Sequence, residues 1–258
     1  MTTLSYKNKT VKIDQGELIS YLVEGHEYIH QKGSPGWRSA DTEMFPIIGP
    51  TADANFRVKT AKGEAVQDQH GLLREMDYEL ESADETKAVF EKKYIAGTQV
   101  NNSKFPAKST EEILAWPYDF TFKKSFNLSG NGLVISFSIS GEQNMPFMLG
   151  YHPAFNLVTK APIIKAKGKE ITLAEVLAVG NRAYQVKNCT EIVLKDKKEL
   201  KITSEGFGSF MLWTEVENMI CIEPITFYPY EVKQENLAEG FMYLEDREEQ
   251  FTLTIAVV

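Results

Sequence analysis

The sequence predicts an all-β protein, read as one domain over residues 1–258. Three observations carry this. Short runs of alternating apolar and polar residues recur along the chain, separated by turn-forming residues. Two of these runs, Asp119 to Phe126 and Leu133 to Ser140, alternate cleanly and are joined by Ser129-Gly130-Asn131-Gly132. That is the signature of an antiparallel pair with one buried face. No repeat, low-complexity tract or linker breaks the pattern. A large sandwich and a barrel both satisfy it.

The first strands fall at Thr10 to Ile13 and Glu17 to Val23, separated by Asp14-Gln15-Gly16. Gly33-Ser34-Pro35-Gly36 reads as loop. Met44-Phe45-Pro46-Ile47-Ile48-Gly49-Pro50 is apolar, but its prolines make it a poor central strand. Asn55 to Val66 reads as a short hairpin, and Tyr78 to Leu80 and Lys87 to Tyr94 as strands. Ser109 with Glu112 three residues on forms a capping-box pattern, so a short helix is expected there, limited by Pro117. Lys160 to Asn188 is mixed in pattern. Four further strands follow, at Glu191 to Leu194, Glu199 to Thr203, Gly208 to Thr214 and Asn218 to Ile222, the last expected to end at Glu223-Pro224. Phe241 to Leu244 and Phe251 to Val257 close the chain.

A formal charge of -8 argues against nucleic acid or an anionic membrane as partner. The first residues have no apolar core of a secretory signal, and no run is long enough to span a bilayer. Cys189 and Cys221 show no metal-ligand spacing, and two free thiols suit a reducing, cytoplasmic setting. No metal site is expected.

Two residues stand out chemically. His152 precedes Pro153, which biases it toward extended backbone at the end of the apolar run Met145 to Tyr151. Histidine is the side chain most easily tuned for proton transfer near neutral pH. Glu223 follows the apolar run Asn218 to Ile222, where burial raises a carboxyl pKa toward that of a general base. The bland alternatives are a structural histidine and a solvated strand-end glutamate. His26 and His30 read as surface residues.

Several blocks, in order, resemble the aldose 1-epimerases, the galactose-mutarotase-like proteins. They are Gly25-His26-Glu27-Tyr28-Ile29, Met44-Phe45-Pro46-Ile47-Ile48-Gly49, His70-Gly71-Leu72-Leu73-Arg74, Met145-Pro146-Phe147 with Gly150-Tyr151-His152-Pro153-Ala154-Phe155-Asn156, and Cys221-Ile222-Glu223-Pro224. The resemblance spans essentially the whole chain. It implies a large antiparallel β-sandwich of the supersandwich type, no cofactor, and a small-molecule sugar or sugar phosphate as partner. It also implies roles. His152 matches the general acid that protonates the sugar ring oxygen, and Glu223 the base that takes the C1 hydroxyl proton. His70 matches the histidine that positions the sugar. Trp213 is a candidate apolar wall, with a core tryptophan as the alternative. The family commonly has a substrate-binding arginine where this chain has Pro50, so Arg57 and Arg74 become candidate replacements. The expected activity is aldose 1-epimerisation, an isomerase reaction. The alternative is a non-catalytic carbohydrate-binding protein on the same fold.

Overall fold

A computed structural model of the chain describes residues 1–245 and 248–258. Among the described residues, the largest sheet has nine strands. Their spatial order is Lys169–Thr172, Ile163–Ala166, Glu191–Lys195, Glu199–Glu205, Glu248–Val257, Gly132–Gly141, Phe120–Ser129, Lys87–Tyr94 and Glu79–Ala83. Every pairing in it is antiparallel. Phe120–Ser129 and Gly132–Gly141 form the expected hairpin, with Phe122 across from Ile139 and Phe126 across from Ile135.

The second sheet holds Tyr184–Val186, Ser209–Trp213, Met219–Ile225, Gly150–Tyr151 and Glu43–Met44 in that order, and Ala154–Asn156 also pairs with Met219–Ile225. Strand Met219–Ile225 is buried along its whole length. Aromatic rings join the two sheets. Phe137 lies 4.9 Å from Tyr151, and Phe147, on the short strand Pro146–Phe147 that pairs with Met242–Tyr243, lies 6.2 Å from Phe251. Phe45, beside Glu43–Met44, packs 4.9 Å from Phe120. The protein is a large antiparallel β-sandwich. A four-stranded N-terminal sheet, Thr2–Tyr6 through His26–Glu27, accompanies it.

One charged side chain crosses the sandwich. Lys124 shares the apolar face of Phe122 and Phe126 and has no solvent exposure. Its ammonium lies 2.7 Å from Asp41 and 2.6 Å from Glu43, both buried at the facing sheet. The Tyr151 hydroxyl donates to the same Asp41 carboxylate at 2.5 Å. Alternation placed position 124 on this face. Its partners, far away in sequence, make a charge tolerable there.

Three sequence expectations are corrected. No helix forms at Ser109. Residues Ile113–Leu114 pair as a strand with Val100–Asn101, and the Ser109 hydroxyl accepts from Asn102 Nδ2 at 3.0 Å. The one α-helix among the described residues is Leu173–Val179, capped by Thr172 and Glu175. His30 is fully buried rather than at the surface, with Nε2 2.8 Å from the Trp37 carbonyl. The strand through Cys221 does not stop at Glu223 but runs on through Pro224 to Ile225.

Candidate active site

The site begins with strand register. Gly150 pairs with Ile225, and Ala154 pairs with Cys221. Carried through the residues between, this register sets His152 opposite Glu223. The ladder is open there because two prolines fall within it. Ile222 N donates to the Pro153 carbonyl at 3.3 Å and Thr226 N to the Leu149 carbonyl at 2.9 Å. Pro224, midway between them, has no N–H to give. Pro153 lacks one on the facing segment. The His152 amide points to the opposite edge, where it donates to the Thr42 carbonyl at 2.8 Å in register with the Gly150–Met44 pair. Two prolines therefore interrupt the pairing where the two ionisable side chains face each other.

His152 Nε2 lies 3.3 Å from Glu223 Oε1, close but not aligned as a hydrogen bond. Glu223 Oε1 and His152 Nδ1 are both buried without a hydrogen-bond partner in the chain. Burial raises the Glu223 carboxyl well above its ordinary range. Burial, and then the Arg74 guanidinium, push His152 down to about 3. Burial thus disfavours the charged form of both side chains.

The cleft above this pair has a volume of about 560 Å³, in the range of small-molecule sites. Its floor is one face of the second sheet, with Met211 across from Glu223 and Trp213 across from Cys221. Trp213, half-buried, stands 5.9 Å from the His152 ring. Trp37, on the loop after Gly36, lies tilted against the same ring, 4.4 Å away. Trp37 escaped the sequence reading. A lone tryptophan in a loop of Gly, Ser and Pro was the available signal. Tyr230, Lys108 and Asn181 complete the rim.

His70 enters from a tight turn. Its φ is +72°, an uncommon left-handed conformation for a residue with a Cβ. The turn is held because Phe45 N donates to the His70 carbonyl at 3.1 Å and Gly71 N to the Asp68 carbonyl at 2.9 Å. Gly71 is required by contact as well as by φ, since a Cβ there would lie 2.3 Å from the Phe45 carbonyl oxygen. The His70 ring is 5.8 Å from the His152 ring. Burial, followed by the neighbouring His152 and Arg74, holds it well below the usual imidazole range.

The candidate arginines separate. Arg74 follows His70 on a single 3-10 turn and lines the cleft, its Nε only loosely paired with Glu75 at 3.7 Å. Arg57 does not line it. Its guanidinium pairs with Glu111 at 3.4 Å and donates to the Asn55 carbonyl. Pro50 is on the cleft wall, where it offers neither charge nor donor. The structure thus gathers His70, Arg74, His152, Trp213 and Glu223 and leaves Arg57 apart.

The family model for aldose 1-epimerase matches residues 40–229 of the chain. The chain belongs to the aldose 1-epimerase family. That match takes in every cleft residue named above except Trp37 and Tyr230. The curated relatives it matches include the LacX proteins of Lactococcus lactis subsp. lactis, plasmid and chromosomal. Each is 25% identical over 166 residues, covering 60% of this chain and 50% of the relative. The chain thus spans about half the length of these relatives. Among solved structures, a galactose mutarotase-like protein from Lactobacillus casei superposes with a TM-score of 0.80 at 15% identity, over 100% of both chains. A galactose mutarotase related enzyme from Lactobacillus acidophilus gives 0.70 at 20% identity, covering 98% of this chain and 96% of that one. At these identities the superpositions carry the fold.

His152, Cys221 and Glu223 also bring their ligand atoms within 4.8 Å of one another, the one such three-donor group among the described residues. No helix among them is long and apolar enough to cross a membrane.

Proposed function

We propose that this cleft interconverts the α and β anomers of an aldose by acid–base ring opening and closure, an aldose 1-epimerase reaction, with His152 and Glu223 as the proton-transfer pair. The observation that carries the proposal is their 3.3 Å approach inside the cleft. The C1 hydroxyl oxygen and the ring oxygen of an aldose are bonded to the same carbon. Two groups that serve both must themselves be close.

The chemistry follows from one shared proton. One member of the pair takes the C1 hydroxyl proton while the other protonates the ring oxygen, and the ring C–O bond breaks. Rotation about C1–C2 presents the other carbonyl face. Closure reverses both transfers. With His152 charged and Glu223 ionised, the roles are those the family resemblance implies. The uncharged form holds the same proton and runs the same step with the roles exchanged. Sugar hydroxyls that donate to Glu223 favour the ionised carboxylate. Arg74 and His70 orient the sugar, and Trp37 and Trp213 supply apolar walls for its ring faces.

NMR exchange spectroscopy on a panel of aldoses and their phosphates tests this. At least one sugar should interconvert faster with the protein present, and Glu223→Gln should lower that rate by about 10²- to 10⁴-fold. Retention of the full rate by Glu223→Gln would remove the residue from the reaction. Tight sugar binding with no acceleration would favour a carbohydrate-binding protein, the reading that Pro50 motivates.

A further inference from the structure

We propose that the floor of the cleft is also a binding site for one soft divalent cation of the zinc class, held by His152, Cys221 and Glu223. The sheet dictates the grouping. Cys221 and Glu223 are two residues apart on one strand, so both side chains point to the cleft face. His152 stands across from Glu223 and diagonal to Cys221. The three ligand atoms all lie within 4.8 Å of one another, and all three residues are buried.

A second observation points to a ligand. Glu223 Oε1 is buried with no partner in the chain, a condition that a coordinated cation relieves. The donor set, one imidazole, one thiol and one carboxylate, selects zinc and its relatives over magnesium or calcium, which take oxygen ligands. Three protein ligands leave a fourth position, which here faces the cleft. Trp37 and Trp213 pack around Cys221 and shield the thiolate side from water.

Coordination needs deprotonated ligands. The thiol S–H proton and the carboxyl proton pass to solvent as the metal–sulfur and metal–oxygen bonds form. No oxidant or reductant takes part. A cation so held occupies both groups of the proton-transfer pair. Its consequence, reversible inhibition, rests on the function proposed above, whereas its binding does not.

Titration of the full-length protein with Co²⁺, followed by absorption spectroscopy, provides the test. The expected result is one Co²⁺ per chain, a thiolate-to-cobalt charge-transfer band, and loss of both on adding Zn²⁺. Cys221→Ser should abolish the band while keeping sugar interconversion, and Cys189→Ser should keep the band. Glu223→Gln should weaken binding by tenfold or more. Circular dichroism checks that Cys221→Ser is folded. If it is not, Cys221→Ala replaces it, and Glu223→Gln gives the independent loss of a ligand. No charge-transfer band, or a band that survives in the Cys221 variant, overturns the site. Sugar interconversion by the metal-free protein, with no band on adding Co²⁺, refutes the metal site alone. The band on adding Co²⁺, with no interconversion by the metal-free protein, refutes the reaction alone.

Discussion

Replacing His152 with glutamine tests the electrostatics of the cleft through stability as well as rate. An unfolded histidine titrates near 6.5, while folded His152 stays uncharged until about 3. Between those values the unfolded chain binds a proton that the folded chain refuses. Stability therefore falls as pH drops through this window. At pH 5, about 1.5 pH units below the unfolded value, the loss is about 2 kcal/mol, and at pH 7 it is near zero. Glutamine at 152 keeps a polar side chain of similar reach but removes the proton. Urea unfolding of parent and His152→Gln at pH 7 and pH 5 measures the difference. The parent should lose about 2 kcal/mol more than the variant on acidification. In the same variant the anomer exchange rate should drop about 10²- to 10⁴-fold at pH 7. An identical pH dependence in both proteins would show that the buried imidazole charges freely in the fold, refuting the desolvated site.

Arg74→Ala should raise KM for the sugar roughly 10- to 100-fold by removing a charged donor. It should also raise the His152 pKa, because Arg74 helps to hold it down, moving the acid limb of the rate profile upward. Lys124→Met should cost about 3–5 kcal/mol in urea unfolding, since it removes the ammonium that contacts both buried carboxyls, Asp41 and Glu43. A loss under about 1 kcal/mol would mean that the cluster is held by other cations. Gly71→Ala should destabilise by about 2 kcal/mol or more, because the added carbon meets a backbone oxygen at 2.3 Å and φ is +75°.

How much of this was legible depended on how far each signal travels along the chain. Strand alternation is local, so Phe120–Ser129, Gly132–Gly141 and Glu248–Val257 were readable to within a few residues. The capping-box pattern is local too, but it needs an apolar period behind it. Ser109 and Glu112 lacked one and lay between Pro106 and Pro117. Thr172 and Glu175 carry the same pattern with Leu173 and Val176 on the buried side, and there the helix forms. Lys124 and His30 were opaque for a different reason. What makes a buried cation or imidazole stable is a partner brought by tertiary structure, and no window around position 124 contains Asp41 and Glu43. The same holds for Cys221. Its closeness to His152 is a cross-strand relation that cysteine spacing does not reveal.

Glu223 shows most clearly where the local reading stopped. From sequence, Pro224 predicts the end of its strand, because proline cannot complete a ladder. The strand continues, since only one of its two edges lacks partners there. On the Ser209–Trp213 side, Phe210 pairs with Pro224 and Met211 with Glu223 without interruption. On the other side, Pro224 has no N–H to give to Tyr151, and the His152 amide points to the opposite edge, where it continues the pairing with Thr42. The missing hydrogen bond therefore opens a gap rather than an end. The gap gives the two proton-transfer candidates backbone positions as fixed as any in a sheet, while leaving the space between them free of ladder hydrogen bonds. Restoring an N–H at position 224 tests this. Pro224→Ala should favour closure of the ladder toward Tyr151 and draw His152 from its position opposite Glu223. The expected outcome is a loss of rate greater than the loss of binding, with stability unchanged or improved. An unaltered rate together with a new protected amide at position 224 in hydrogen exchange would show that the prolines do not hold the site open.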